Sequence, residues 1–283
     1  ILSYLEDAIV EQDISQHIRF GHEVCSANWS EADATWSLQV AGPDGERSLS
    51  CNFLWMCQGY YRHNEGYTPE WAGMADFKGR IAHPENWPED LDYEGKRVVV
   101  IGSGATAATV VPAMAESAEH VTMLQRSPTF FRTGRNAIEI AETLRELQVD
   151  EAWIHEITRR KILYEQSAFT EMCFKKPEAV KEMLLGEVQK VLGPDYPVDK
   201  HFTPSYRPWR QRIAFVPDAD LFKGIADGKA SVVTDEIGRF TPDGILLKSG
   251  TELEADIVVT ATGFNMNMMG DIEFQIDGQP LHF

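Results

Sequence analysis

Two segments of the chain repeat the same order of hydrophobic and polar positions. In the first, apolar residues alternate with polar ones on both sides of a turn at residues 42–45, and the continuously apolar run 53–57 follows and stops at a glycine. In the second, alternation surrounds a turn at residues 243–244, and the apolar run 257–262 also stops at a glycine. Alternation is typical of half-buried strands, whereas an unbroken apolar run is typical of a buried parallel strand. We therefore predict two copies of a β-meander that leads into a buried strand.

Other apolar positions recur at helical spacing. The pattern predicts a helix over residues 2–12, a short strand at residues 18–20 and a group of helices over residues 134–200. Within that group the aromatic and methionine side chains allow two interpretations, because they either line a substrate entrance or pack in the core. The residues concerned are Phe169, Met172 and Phe174.

A glycine-containing segment between the two copies carries candidate chemistry. The apolar run 97–101 is followed directly by Gly102, Ser103, Gly104, Ala105, Thr106 and Ala107, by an apolar helix and by a second strand at residues 121–124. In such a segment the first glycine allows a tight turn, the second lets a pyrophosphate approach the backbone, and a small third residue lets helix and strand pack closely. The helix N-terminus then faces the phosphates. The segment predicts a dinucleotide site, and a glycine turn without a ligand is the alternative.

The end of the second strand predicts which dinucleotide binds. An NAD site usually has Asp or Glu about twenty residues beyond the glycines, where the acid accepts from the ribose hydroxyls. Here this position has Gln125, Arg126 and Ser127 and no acid. An arginine beside a hydroxyl suits a 2′-phosphate, so we predict NADP(H). The alternative is that Arg126 is a solvated surface residue.

The layout predicts an α/β fold with two Rossmann-like dinucleotide-binding domains and a helical insertion. The first meander has no glycine turn of its own, since its first half would precede Ile1. We therefore expect an incomplete first domain, of a kind that commonly holds FAD, and a chain that is a piece of a longer protein. The predicted parts are a partial FAD-binding domain with a linker (1–88), an NADP-binding domain (89–133 and 201–262), a helical insertion (134–200) and a return toward the FAD domain (263–283).

Composition and charge narrow the classes of function. There are 26 Lys and Arg against 44 Asp and Glu, and a net charge of −18 argues against nucleic acid and anionic membrane as partners. No apolar run is long enough to cross a bilayer. The cysteines show no CxxC pair and no zinc spacing, so we expect no metal, small buried thiols and a cytoplasmic location; they are Cys25, Cys51, Cys57 and Cys173.

A long motif gives a resemblance to a known family. Phe77, Gly79, His83 and Trp87 stand at the defined positions of FxGxxxHxxxWP, and Pro88 completes it. The motif resembles that of Baeyer–Villiger monooxygenases within the flavin-containing monooxygenases, and the surrounding segments resemble the mycobacterial subgroup that activates thioamide drugs. The resemblance implies FAD, NADPH and O2, and a small ketone, thioether or thioamide substrate. It also implies that the four motif residues couple domain motion to turnover.

The resemblance further assigns individual residues. Arg212 matches the family's active-site arginine, whose permanent charge would stabilise a flavin peroxide and then the oxyanion of the carbonyl adduct. Arg207 and Arg210 compete for this assignment because they lie so close in sequence. Gln211 stands where the family has a lysine that contacts the NADP phosphate, which puts more of the selectivity on Arg126 and Ser127. Val24 would offer its backbone to the FAD adenine.

Two other functions stay open. Pyridine-nucleotide-disulfide reductases share the layout but need a redox-active cysteine pair, which Cys51 and Cys57 do not supply. A non-catalytic NADP-binding module would have no use for Arg212 beside the nicotinamide. Ketone oxygenation and sulfur or nitrogen oxygenation are not separated by the sequence, and neither is the oligomeric state.

Overall fold

The computed structural model of this protein describes residues 2–282 and contains both helices and strands. The α-helices are α1 (Leu2–Glu11), α2 (Ala105–Met114), α3 (Glu139–Glu146), α4 (Glu151–Lys175), α5 (Pro177–Leu192), α6 (Val198–His201) and α7 (Asp220–Ala226). Short 3₁₀ turns occur at Ser15–His17, Met74–Asp76 and Pro84–Asn86. The predicted helix at the start of the chain and the predicted helices of the insertion are confirmed.

The strands are numbered in chain order. They are β1 (Glu23–Ser30), β2 (Thr35–Gly42), β3 (Gly45–Cys51), β4 (Tyr61–Gly66), β5 (Arg80–Ala82), β6 (Arg97–Ile101), β7 (His120–Gln125), β8 (Phe131–Gly134), β9 (Ala214–Pro217), β10 (Ala230–Thr234), β11 (Ile237–Thr241), β12 (Gly244–Leu247), β13 (Glu252–Glu254), β14 (Ile257–Thr260), β15 (Phe264–Met266), β16 (Glu273–Ile276) and β17 (Gln279–Pro280).

The chain forms two compact units. The first comprises residues 1–63 and 264–283, and the second comprises residues 64–263. Residues 64–88, which the sequence assigned to the FAD side, lie in the second unit because β5 pairs in parallel with β14. The assignment of FAD and NADP to particular domains stays a prediction.

A five-stranded parallel sheet forms the centre of the second unit, in the order β10-β7-β6-β14-β5. Both faces of the sheet are covered, which explains why β6 and β14 are apolar along nearly their whole length. Val98 and Val100 point to a layer formed by α2 and α7, which contribute Val111 and Phe222. The alternate residues point to the antiparallel sheet β11-β12-β13, and Val99 and Val258 pack there with Phe240 and Ile245. The predicted α/β fold is confirmed.

The first unit is built on a second five-stranded sheet, in the order β17-β16-β1-β2-β3. The predicted hairpin is confirmed, since β2 and β3 pair antiparallel with Gly42 opposite Gly45. Its small core contains Ala27, Leu38, Val40 and Phe274.

Three sequence expectations for this unit are wrong. Residues 53–57 form no strand, because they pair with no neighbouring strand; the segment is extended, and while Leu54 and Met56 pack on the core, Phe53 and Trp55 are 79% exposed. Residues 18–20 also lack strand structure and lead into a turn. The predicted burial of the cysteines fails for Cys25 and Cys57, which are exposed free thiols.

The insertion packs partly as expected. Leu184 and Val188 on α5 are buried, whereas Ile138 and Leu147 at the two ends of α3 are exposed. Among the described residues, no helix is long and apolar enough to span a bilayer.

The aromatic packing between the parallel sheet and the β11-β12-β13 sheet leads to a stability prediction. Phe240 is 1% exposed and contacts the rings of Trp71 and Phe77 at centroid distances of 5.8 and 5.9 Å. We expect Phe240→Ala to lower the free energy of unfolding by about 3–5 kcal/mol, because it leaves a cavity. Phe215→Ala, at a position that is 51% exposed in the same unit, should cost less than about 1 kcal/mol. Urea unfolding followed by circular dichroism would measure both, and equal losses would contradict the packing.

Candidate functional site

The glycine turn joins β6 to α2 in the geometry that the sequence predicts. Gly102 has φ +130°, and a Cβ at this position would clash with the carbonyl oxygen of Ala261 in the neighbouring chain segment. The N–H of Gly102 donates to Leu124 O at 2.8 Å, which fixes the turn to the end of β7. Ala107 is fully buried against the sheet, as the small third position requires. Packing by itself, without any ligand, therefore explains why this turn has glycine at position 102 and a small residue at position 107.

The start of α2 has free binding capacity. Gly104 is the N-cap residue and makes no side-chain cap, so the N–H groups of the first helical turn, which includes Ala105 and Thr106, receive no side-chain acceptor there. A Cβ at Gly104 would meet no atom within 4 Å, so the space in front of the helix is open. Unpaired N–H groups and the positive end of the helix dipole favour an anion at this place.

The segment after β7 is tied to the same turn. Ser103 Oγ donates to Ser127 O at 3.3 Å and bonds Thr129 Oγ1 at 3.2 Å. Arg126 and Ser127 are exposed at the carboxyl end of the strand. Within residues 2–282, the Arg126 guanidinium has no hydrogen-bond or ion-pair partner in the protein.

A cavity of about 510 Å³ lies in front of these segments, at the carboxyl edge of the parallel sheet, and all its lining residues belong to the second unit. The turn contributes Gly102 and Ser103, and β7 with its continuation contributes Leu124 to Ser127. The remaining lining side chains come from distant parts of the chain. They are Tyr67, Pro69, Trp71, Asp235, Glu236, Ile237, Lys248 and Thr262, with Ile101 at the floor.

Two acidic residues line this cavity that the sequence of β7 does not predict. Asp235 and Glu236 follow β10, the strand next to β7, and the Asp235 N–H donates to Gln125 O at 3.0 Å. Ser249 and the Glu236 N–H donate hydrogen bonds that hold the pKa of Asp235 below its usual range. The Glu236 carboxylate pairs with Lys248 at 2.5 Å. Both acids already have donors, whereas the Arg126 guanidinium is a charged group of the cavity without a partner in the described chain.

The motif residues Phe77 and Gly79 have packing roles in this structure. Phe77 is buried in the layer beneath the β11-β12-β13 sheet. A side chain at Gly79 would clash with the carbonyl oxygen of Asp256 and with the Phe77 ring, and the neighbouring Arg80 N–H donates to that same carbonyl at 3.1 Å. The glycine therefore lets the chain approach β14 closely enough for β5 to pair with it.

His83 follows β5 and uses both ring nitrogens. Nε2 donates to Gly263 O at 3.0 Å, and Nδ1 accepts from the Glu85 N–H at 3.1 Å, so two backbone groups fix the orientation of the ring. The Gly263 carbonyl also accepts from the Tyr67 N–H at 3.0 Å. A Cβ on Gly66 would overlap the imidazole. His83 thus fastens the end of the second unit at Gly263, while Trp87, 37% exposed, ends the following 3₁₀ turn.

Arg212 lies outside the cavity that Arg126 lines. It is exposed in the segment before β9, where the Ala214 N–H donates to Phe130 O at 2.9 Å, so it comes two residues before a bond to the continuation of β7. Gln211 is exposed beside it and does not line the cavity either. The competitor Arg207 is already engaged, because its guanidinium lies 4.5 Å from the centre of the Phe174 ring. Neither Arg212 nor Gln211 therefore belongs to the lining of the cavity at the glycine turn.

Val24 and the aromatic residues of the insertion complete the set. Val24 lies in β1 of the first unit, paired with Val40 next to a register shift. Phe169 packs with Phe130 and also lines a trough of about 1590 Å³, together with the more exposed Phe174. Both interpretations of these aromatics thus describe part of their surroundings, whereas Met172 is 41% exposed and does not line the trough.

Comparison with known proteins shows which proteins the chain is similar to. Residues 1–136 match the family model described as flavin-binding monooxygenase-like. The chain is 48% identical over 280 residues to the FAD-containing monooxygenase EthA of Mycobacterium tuberculosis, and 44% identical over 284 residues to the probable FAD-binding monooxygenase AlmA of Acinetobacter sp. These alignments cover 99% and 100% of this chain. The chain is therefore similar, over nearly its whole length, to flavin-binding monooxygenase-like proteins.

Solved structures agree with this similarity in fold. A steroid monooxygenase bound to NADP superposes with a TM-score of 0.73 at 22% identity, and cyclohexanone monooxygenase in an open form with a TM-score of 0.73 at 21% identity. They match 96% of this chain, which covers 58% and 60% of theirs. The chain spans 57% of the length of EthA and 57% of the length of AlmA.

The cavity of this chain fits one dinucleotide. It offers open space at Gly104, an uncapped helix N-terminus and the unpartnered Arg126. Gln125 also lines it, although its side-chain amide donates to His201 O and Thr234 Oγ1 and its Oε1 is buried. Among residues 2–282 the strand–glycine turn–helix arrangement occurs once, at this cavity, so these residues supply no second cradle of this kind for the FAD pyrophosphate.

Sequence reasoning missed Trp71, Lys248 and Thr262 as cavity residues. None of them belongs to the glycine motif. Lys248 and Thr262 reach the cavity because β12 and β14 end at this edge of the sheets, and Trp71 lies in the loop before the Met74–Asp76 turn. The glycine at the end of β14 was the one available signal for Thr262.

Glycine substitutions separate the packing role of the turn from its binding role. Gly104→Ala should leave the midpoint of thermal unfolding unchanged but weaken NADP⁺ binding by about tenfold or more, since the added methyl group fills space that a phosphate needs. Gly102→Ala should lower the free energy of unfolding by roughly 1–3 kcal/mol through backbone strain, in addition to its clash with Ala261.

Differential scanning fluorimetry and isothermal titration calorimetry would measure the two effects. Gly186→Ala in α5 is the matched control, because a Cβ there also meets no atom within 4 Å and should not change binding. Unchanged binding in Gly104→Ala would show that the phosphates do not approach this turn.

Proposed function

We propose that the whole protein is an NADPH- and FAD-dependent monooxygenase, and that this chain supplies its NADP(H) site. One observation carries the proposal: the glycine turn that leads into the uncapped start of α2 and the unpartnered Arg126 line one cavity, in a chain that is 48% identical to an FAD-containing monooxygenase. The fold shared with an NADP-bound steroid monooxygenase supports the same cofactor.

Each part of the cavity has a distinct task in this proposal. The N–H groups at the start of α2 hold the pyrophosphate, as helix N-termini do in this fold class. Arg126 and Ser127 bind the 2′-phosphate through charge-assisted hydrogen bonds.

FAD enters the proposal through the relatives. When bound, FAD supplies storage of the electrons that NADPH delivers and their transfer to O2. The backbone of Val24 is our proposed contact to its adenine, and His83, which holds Gly263 in place, is proposed to couple the motif to domain movement during turnover.

Arg212 is proposed as the catalytic arginine. Its guanidinium is exposed, so it is available to substrate and cofactor, whereas Arg207 is stacked on Phe174. A guanidinium keeps its charge at any physiological pH and stabilises an oxyanion as it develops during oxygen insertion. Substrates of the proposed enzyme are small ketones, thioethers or thioamides.

The two competing functions have less support. A disulfide-reductase-like enzyme needs a cysteine pair, but all four cysteines are free thiols. Cys51 also lies in β3, paired with Trp36 in the ladder. A binding module without catalysis would explain the cavity equally well, and assays of the whole protein distinguish it from the enzyme.

The deciding assay measures NADPH oxidation by the whole protein with and without ketones and thioethers, with product identified by mass spectrometry. An NADPH- and O2-dependent product one oxygen atom heavier than its substrate is the expected result. NADPH binding without turnover under every condition would favour the binding module.

Arg126 sets cofactor choice in this proposal. We expect Arg126→Ala to weaken NADPH binding by roughly tenfold to a hundredfold, the value of a charge-assisted hydrogen bond, and to change NADH binding little. Calorimetry of the chain at one fixed salt concentration would measure both. Arg239→Ala, an exposed arginine outside the cavity, is the control. Equal affinity of the unaltered chain for NADPH and NADH would contradict the assignment.

Arg212 should affect product formation and spare cofactor binding. In Arg212→Ala we expect the rate of product formation to fall by about 10²–10³, as for removal of one donor to an oxyanion, while NADPH is still consumed and hydrogen peroxide accumulates. Arg212→Lys should restore only part of the activity, since a point charge does not reproduce the planar fork. Parallel assays of NADPH, product and peroxide would test this. If the same pattern follows Arg207→Ala or Arg210→Ala instead, the assignment to Arg212 is wrong.

A further inference from the structure

An ion pair lies at the corner of the cavity where Arg126 follows the end of β7. Lys248 Nζ and the Glu236 carboxylate are 2.5 Å apart, and both side chains are more than half exposed. Both residues line the same cavity as Arg126 and Ser127. Lys248 is therefore a second cation in the part of the cavity that Arg126 lines. Neither the glycine motif nor the residues at the end of β7 predict it.

Backbone hydrogen bonds hold this corner together. The Asp235 N–H donates to Gln125 O at 3.0 Å, which places the end of β10 beside the residue before Arg126. The Lys248 N–H donates to Glu236 O at 2.8 Å, so the backbone of Lys248 is fixed next to the same strand end. The backbones of three strand ends are thus connected, and Arg126, Glu236 and Lys248 follow β7, β10 and β12 there.

The charges at this corner define what the lysine does. Asp235 and Glu236 contribute two negative charges and Arg126 one positive charge. Without Lys248 the corner has a net charge of −1 and repels a 2′-phosphate, which itself is close to a dianion at neutral pH. With Lys248 the corner is neutral, and an exposed Lys–Glu pair exchanges its partner at little cost, because such pairs contribute little to stability.

We propose that Lys248 is a second specificity-determining cation for the 2′-phosphate of NADP(H), and that Glu236 holds it at the cavity until the phosphate takes its place. The proposal rests on the proposed function, since it assumes NADP(H) in this cavity. It adds that a carboxylate beside the phosphate site pairs with the lysine in the empty cavity, and so competes with the phosphate for it, instead of accepting from a ribose hydroxyl.

The test uses the full chain and four probes: NADP⁺, NAD⁺, 2′,5′-ADP and 5′-AMP, each titrated calorimetrically at several salt concentrations. In Lys248→Met, affinity for NADP⁺ and 2′,5′-ADP should fall about tenfold or more, the value of a charge-assisted hydrogen bond. Affinity for NAD⁺ and 5′-AMP should change by less than about twofold, because these ligands have no 2′-phosphate and the methionine side chain is uncharged. The dependence of NADP⁺ affinity on salt should also become shallower.

Two further variants keep the result interpretable. Lys248→Arg should retain the preference for the 2′-phosphate. This result would show that the preference depends on the positive charge and not on the packing of the lysine side chain. Glu236→Gln frees the lysine and removes a negative charge, so it should tighten NADP⁺ binding and leave NAD⁺ binding unchanged. Lys175→Met on α4 is the matched control, since Lys175 pairs with Glu171 outside this cavity.

The outcomes separate this proposal from the proposed function. If the unaltered chain does not bind NADP⁺, the proposed function fails and this proposal fails with it. If the unaltered chain prefers NADP⁺ and Lys248→Met keeps the preference of Lys175→Met, only the role of Lys248 is overturned. Weaker NADP⁺ binding in Glu236→Gln would also overturn it, because Glu236 would then act on the ligand directly.

Discussion

Two parallel strands of the second unit end so close together that only glycine fits between them. The carbonyl oxygen of Ala261, just after β14, occupies the space that a Cβ of Gly102 would need. This approach follows from the pairing of β6 with β14 along their whole length, in which Ile101 lies opposite Thr260. Because the strands end together, the start of α2 is left open toward the edge of the sheet. The cavity, the uncapped start of α2 and the proposed binding of phosphate there all depend on that edge.

The residues that surround the cavity extend this constraint to the rest of the unit. His83 and the Tyr67 N–H both donate to Gly263, so the segment that leaves β14 is fixed in position. Phe77 and Gly79 allow β5 to approach β14 and complete the sheet. The motif that gave the family resemblance therefore has a clear structural role in the second unit, independent of any role in turnover.

Most of the fold could be predicted from local patterns, and the failures have a common physical reason. The glycine turn, the buried runs 97–101 and 257–260 and the hairpin at 42–45 depend on neighbouring residues, so periodicity identified them. The run 53–57 looks the same in sequence, but a strand needs a pairing partner, and none lies beside it. The sequence around Arg126 also does not reveal the acid nearby, since Asp235 follows the adjacent strand β10 and not β7. Pairing between distant segments is what local patterns do not contain.

Hydrogen–deuterium exchange of the full chain, with and without saturating NADP⁺, tests the central claim most directly. Amide exchange reports local opening, so a ligand held by backbone N–H groups slows it at its own contacts. The account predicts slower exchange at residues 103–107 and 125–127, and at residues 235–237 on the neighbouring strand end. Unchanged exchange in all three segments, or protection confined to the trough between the insertion and β9, would contradict it.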